Sequence, residues 1–102
     1  MAVDQILTRF KSALAEMYGP ALDRVVLFGS RRGDAREDSD FDVAVFLRDM
    51  GPGMTEWDRL ADLRTRFLDE GGPFFEAIPF RAAAYDDRTP IMHEIRRDGL
   101  SL

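Results

Sequence analysis

The sequence predicts an α+β fold built in the order αβ(loop)βαβα, and three observations carry that expectation. Apolar residues recur at helical spacing in three separate stretches. Between them lie short runs rich in β-branched and aromatic residues, the mark of strands. Glycine or proline stands at most junctions between the two patterns.

Val3, Ile6, Leu7, Phe10, Leu14, Met17 and Tyr18 form the apolar stripe of a first helix, with Arg9, Lys11 and Glu16 between them and Gly19-Pro20 as its stop. Arg24 to Phe28 follows, short and apolar, ended by Gly29; it reads as a strand buried on both faces. Residues 31–39 are almost wholly polar, a loop or one helical turn. In residues 41–47, Phe41, Val43, Val45 and Leu47 alternate with Asp42, Ala44 and Phe46, which gives a second strand that is apolar on both sides beyond its first turn. Met50-Gly51-Pro52-Gly53 breaks the chain, and Thr55 with Asp58 resembles a capping box opening a second helix. Its expected buried stripe is Trp57, Leu60, Ala61, Leu63, Phe67 and Leu68, and Gly71-Gly72-Pro73 ends it. Phe74 to Ala84 suits a third strand, with Pro79 placing it at an edge or a strand end. Thr89-Pro90 then caps a last helix carrying Ile91, Met92 and Ile95 up to Gly99. No repeat, low-complexity tract or linker is visible, and the expectation is one domain over residues 1–102.

Composition narrows the function classes. With 14 basic against 19 acidic side chains the net charge is -5, which argues against nucleic acid as a main partner, since phosphate-backbone binders displace counterions with a basic surface. Cysteine is absent, so neither a disulfide framework nor a thiolate metal site is available. No apolar stretch approaches the ~20 residues that span a bilayer, and the N-terminus does not read as a signal segment. A cytoplasmic protein without a membrane role is the expectation.

The chemistry concentrates in GSRRGDAREDSDFDVAVF, residues 29–46. Residues two apart in a strand share a face with Cα atoms roughly 6.5–7 Å apart, so Asp40 and Asp42 aim both carboxylates at one spot if the strand begins by Asp40. Like charges held that close repel, and a hard divalent cation such as Mg²⁺ relieves them. Gly29-Ser30, at the end of the preceding strand, allows backbone N–H groups to approach an anion. Taken alone, an acid-rich stretch is more often a solvated turn, and a lone Gly-Ser carries nothing. Asp42, however, lies inside an apolar run, and the three features share one strand–loop–strand unit. Arg31 and Arg32 either neutralise a triphosphate or pair with Asp34, Glu37 and Asp38 in a solvated loop. His93 reads as structural or exposed, Trp57 and Phe67-Leu68 as core, and Asp86-Asp87 as a turn.

Gly-Ser, a polar loop and Ser-Asp-Phe-Asp-Val together resemble the signature of the DNA polymerase β-like nucleotidyltransferases. More narrowly, the chain is similar to the minimal stand-alone members of prokaryotes, including the antitoxin half of HEPN/MNT toxin–antitoxin pairs. The resemblance implies a small mixed β-sheet with helices packed on it. It also implies that Gly29 and Ser30, with Arg31, hold a nucleoside triphosphate and that Asp40 and Asp42 bind Mg²⁺. The family's third carboxylate, typically Asp, matches Glu76 in Phe75-Glu76-Ala77-Ile78. A second departure is the loop: small members commonly place ten residues between the serine and the first aspartate, whereas here nine intervene, residues 31–39.

The implied reaction is transfer of a nucleoside monophosphate, AMP from ATP, to a hydroxyl acceptor, with two Mg²⁺ ions held by Asp40, Asp42 and Glu76. So short a chain has no room for an acceptor-binding domain, so the acceptor is expected on another protein, by resemblance a tyrosine of a HEPN toxin, or on a second copy in a homo-oligomer. Two alternatives stand beside this expectation: a catalytically silent antitoxin that covers its partner, and a small-molecule adenylyltransferase of the aminoglycoside-modifying type.

Overall fold

The computed structural model describes residues 3–28, 41–72 and 75–102. The first helix, α1, spans Val3–Tyr18 and leads through a 3₁₀ turn at Gly19–Ala21 into strand β1, Leu22–Phe28. Strand β2 is Phe41–Leu47, helix α2 is Thr55–Asp69 and strand β3 is Phe75–Arg81. A 3₁₀ segment at Ala82–Asp86, helix α3 at Pro90–Asp98 and a two-residue strand β4 at Leu100–Ser101 complete the order. The strands form one mixed sheet in the order β3-β2-β1-β4. β1 runs antiparallel to both β2 and β4, while β2 and β3 are parallel. The α+β class and the mixed sheet are as the sequence and its resemblance predict.

β2 is an interior strand with a helical layer over each face, which is why six of its seven residues are buried. On one face, Leu7, Phe10 and Leu14 of α1 and Leu60, Leu63 and Phe67 of α2 close over Val43 and Val45 of β2. An aromatic cluster anchors this layer: Phe75 stacks on Phe10 at 4.1 Å between ring centroids and on Phe41 at 5.6 Å, with Phe67 edge-on at 5.5 Å. On the other face, Met92 and Ile95 of α3 cover Val26, Ala44 and Phe46, with Phe80 and Tyr85 at the margin. Burying each such large side chain contributes on the order of 1.5–3 kcal/mol.

Local chemistry sets the ends. Gly19 adopts φ 54 after the last turn of α1. At the end of α2, Gly71 adopts φ 83, its N–H donates to the Leu68 carbonyl at 2.9 Å, and the Gly72 N–H donates to the Phe67 carbonyl at 2.8 Å. That pair of bonds is a Schellman stop, and it requires a residue free to enter the left-handed region. Thr89 caps α3 by accepting from the Met92 N–H at 3.3 Å, with Pro90 in the first helical position, as expected.

Four expectations give way. No capping box forms at the start of α2: Thr55 is already helical and its hydroxyl donates to the Pro52 carbonyl at 2.7 Å. The preceding loop is held instead by Glu56, buried to 4% exposure, whose Oε2 accepts from the Gly51 N–H at 2.7 Å. Trp57 and Leu68 are exposed rather than core, because the buried side of α2 is the arc of Glu56, Leu60, Leu63 and Phe67. β3 stops at Arg81 and the chain turns into a 3₁₀ segment, while Ile91 lies exposed on α3. β4 has no counterpart in the sequence reading; two residues carry no periodicity, and only the docking of Leu100 and Ser101 on β1 makes them a strand. Pro79 does sit on an edge strand, where its missing N–H costs no ladder bond on the solvent side.

Tyr18 ends α1 buried beside Glu56, and neither the phenolic oxygen nor Glu56 Oε1 has a hydrogen-bond partner within ordinary limits. Burial first, and the neighbouring carboxylate second, push the phenol's pKa above its usual value. The folded state thus keeps this proton after the unfolded chain begins to release it near pH ~10, so stability falls as pH rises beyond that point. Tyr18→Phe is expected to leave the melting temperature at pH 7 unchanged or higher and to flatten its decline above pH ~10. Thermal melts of both proteins from pH 7 to 11 check this, and an equally steep alkaline decline in the variant would refute it.

Candidate active site

The site sits at one end of the sheet, where β1 finishes and β2 and β3 begin. Antiparallel pairing sets Phe28 opposite Asp42, and parallel pairing sets Asp42 opposite Glu76. Register partners on adjacent strands project to the same face, about 4.8 Å apart along the hydrogen-bonding direction. Asp42 and Glu76 thus stand side by side on the face that α3 covers farther along the strands. Asp42 is half-buried and Glu76 is exposed, so the pair opens to solvent.

Why an acid is tolerated in β2 follows from the topology. Residues 44 and 46 on the same face of the strand meet α3 and its neighbours, but Asp42 lies beyond that cover. An apolar residue would gain less there than at 44 or 46, and a carboxylate keeps contact with water. The α3 cover is itself fastened: Arg96 donates to the backbone carbonyls of Tyr85 and Asp87, and the Arg24 guanidinium lies 3.7 Å over the Tyr85 ring. Arg96 and Arg24, to which the sequence alone assigns no such role, brace the 3₁₀ segment beside the site's face. Arginines scattered over strand and helix leave no spacing signal by which to find them.

Of the residues expected to act, the structure brings Asp42 and Glu76 together. Gly29, Ser30, Arg31 and Asp40 lie outside the described residues. Among the described residues there is no group of three or more His, Cys, Asp or Glu side chains suited to a metal. The pair does fit a hard cation in donor chemistry: two carboxylates on one face, one open to solvent, with no histidine or thiolate competing. A depression of about 420 Å³ lined by Thr8, Arg9, Ser12, Arg66 and Glu70 lies between α1 and α2, on the opposite face of the sheet. It is crossed by the Arg9–Glu70 ion pair at 2.6 Å and has no connection to the carboxylates.

A nucleotidyltransferase domain model matches residues 7–76, a span that starts in α1 and ends on Glu76. Two curated proteins of Methanocaldococcus jannaschii, both named "Putative protein adenylyltransferase", are similar in sequence. One is 35% identical over 68 residues, covering 66% of this chain and 68% of its own length. The other is 32% identical over 79 residues, covering 76% and 73%. In fold, the chain is similar to crystal structures of two mutants of the toxin–antitoxin MntA–HpeT. Their TM-scores are 0.60 and 0.58 at 17% and 19% identity, with 91% and 93% of this chain and 69% of each solved chain covered. No helix among the described residues is long and apolar enough to cross a membrane. The sequence motif, the mixed sheet and the family match converge: the chain belongs to the nucleotidyltransferase family, as a minimal, protein adenylyltransferase-like enzyme of the DNA polymerase β-like superfamily.

Proposed function

We propose that this chain transfers AMP from ATP to a hydroxyl of a partner protein, a tyrosine of a HEPN-type toxin, and so acts as the antitoxin of a pair. The observation that carries the reading is the register of Asp42 against Glu76, two carboxylates on one open face at the mouth of the sheet. The likeness of fold to MntA, and the names of the two archaeal relatives, support the class of partner and reaction.

Asp40, Asp42 and Glu76 would hold Mg²⁺ in this reading, and the cations would supply charge neutralisation along the line of attack and departure. The residues divide the remaining work. Gly29 and Ser30 follow β1 in sequence, and in this reading their backbone N–H groups would meet the triphosphate, with Arg31 adding charge. Asp42, fixed between Phe28 and Glu76 in the ladder, keeps its carboxylate in one place without the entropy of a loop side chain. Glu76, on the edge strand and open to solvent, stands where an incoming hydroxyl can reach it, and it accepts that hydroxyl's proton as the oxygen attacks the α-phosphorus and pyrophosphate leaves.

Two outcomes follow. Asp42→Asn removes one charge and one ligand, so calorimetry should show MgATP binding in the wild type and loss of its metal-dependent part in the variant. Equal affinity in both proteins would rule out a shared clamp. Glu76→Gln keeps size but loses basicity; MgATP affinity should stay within a few-fold while transfer falls by roughly two or more orders of magnitude. Mass spectrometry of the purified partner after incubation with ATP and Mg²⁺, scored for an added AMP, reads the transfer. A partner that wild type silences without modifying, and that Glu76→Gln silences equally well, would overturn the enzymatic reading in favour of a binding module.

A further inference from the structure

The outer side of α2 carries an apolar row that the fold leaves uncovered. Met54, Trp57, Ala61 and Leu68 fall within about 60° of one another around the helix axis, at the 3-4 spacing of a helix-pairing seam, with Arg64 taking the remaining place in the row. Met54 is 63% exposed, and Trp57 and Leu68 are each 42% exposed. Trp57, Ala61 and Leu68 are residues that periodicity alone assigns to the core. The helix already has a full core arc in Leu60, Leu63 and Phe67, so the row is a second apolar surface on a short element, beyond what folding requires.

Its border has one sign. Moving around the helix away from the core, the next sector holds Thr65 and then Asp58, Asp69 and Asp62, all exposed. The cationic side chains Arg59 and Arg66 lie farther round, and Arg66 lines the depression toward α1. Among the described residues no ion pair is formed by Asp58, Asp62 or Asp69. We infer that this face of α2 docks a basic amphipathic helix of another protein, its apolar stripe on Trp57 and Leu68 and its lysines or arginines against the three aspartates.

A second copy of the chain fits less well. Antiparallel self-pairing along the row sets the three aspartates against their own counterparts, and the net charge of -5 adds repulsion between copies. The placement also separates docking from chemistry. α2 lies on one face of the sheet, while Asp42 and Glu76 open on the other, so a helix seated here leaves the carboxylates free. The inference stands independently of what those carboxylates do.

Trp57 is the chain's single tryptophan, so its emission reports this surface directly. The probe is a hydrocarbon-stapled three-heptad helical peptide with a leucine stripe flanked by lysine, compared with the same peptide flanked by glutamate. The lysine peptide should shift Trp57 emission to the blue saturably, and the glutamate peptide should not. Leu68→Glu should weaken binding at least tenfold. Combined Asp58→Lys, Asp62→Lys and Asp69→Lys should do the same and should transfer preference to the glutamate peptide. Because every substituted side chain is exposed, melting temperatures should stay close to wild type, and the charge-reversed protein keeps the test decisive if Leu68→Glu fails to fold. Absence of any shift, equal affinity for both peptides, or a dimer in sedimentation that Leu68→Glu dissociates would each overturn the inference, the last by naming a second copy as the occupant.

Discussion

The register between β2 and β3 is the constraint on which the candidate site depends. A strand has a period of two, so sliding β3 by one residue against β2 would turn Glu76 into the α1/α2 layer and bring Phe75 or Ala77 to the open face. The aromatic cluster prevents that slip. Phe75 is fully buried between Phe10 and Phe41, with Phe67 against its edge, and exposing it would forfeit on the order of 3 kcal/mol of apolar burial before any cavity cost. Glu76 is therefore aimed by its predecessor in the chain. The register at the candidate site is set by hydrophobic packing on the opposite face of the sheet.

The same division of labour runs through the molecule. Residues 43, 45 and 47 of β2 belong to one core and 44 and 46 to the other, and only residue 42 escapes both. The cover over the second face is a short helix tied down by backbone bonds from Arg96, by the Arg24–Tyr85 contact and by close approach at Gly99, where a β-carbon would overlap the Ile95 carbonyl and Val26.

On the helical side, the loop entering α2 is held by a buried carboxylate. Glu56 satisfies the Gly51 N–H, lies 3.7 Å from the Arg59 guanidinium and crowds the Tyr18 phenol. Taking a carboxylate to 4% exposure is costly unless it is bonded, and the bond made here goes to a loop that no regular element secures. Glu56 thereby ties the loop to the first turn of α2, while Leu60, Leu63 and Phe67 seat the helix on the sheet.

By itself the sequence determined the class of fold, the order of the helices and the longer strands, the placement of Pro79 at an edge or a strand end, and Asp42 as an acid inside an apolar run. Those features rest on local periodicity, turn residues and a short motif, which are written along the chain. Only the tertiary structure decided that Asp42 and Glu76 are register neighbours, because parallel pairing joins residues 34 positions apart and no local pattern encodes the register. It also decided which apolar residues of α2 are inside. Trp57 and Leu68 are as hydrophobic as Leu60 and Phe67, and the choice between them depends on which arc of the helix meets the sheet once Glu56 has fixed its entry. Likewise β4 exists because Leu100 and Ser101 meet the free edge of β1; two residues have no periodicity to read, and their strand character is conferred by the partner they pair with.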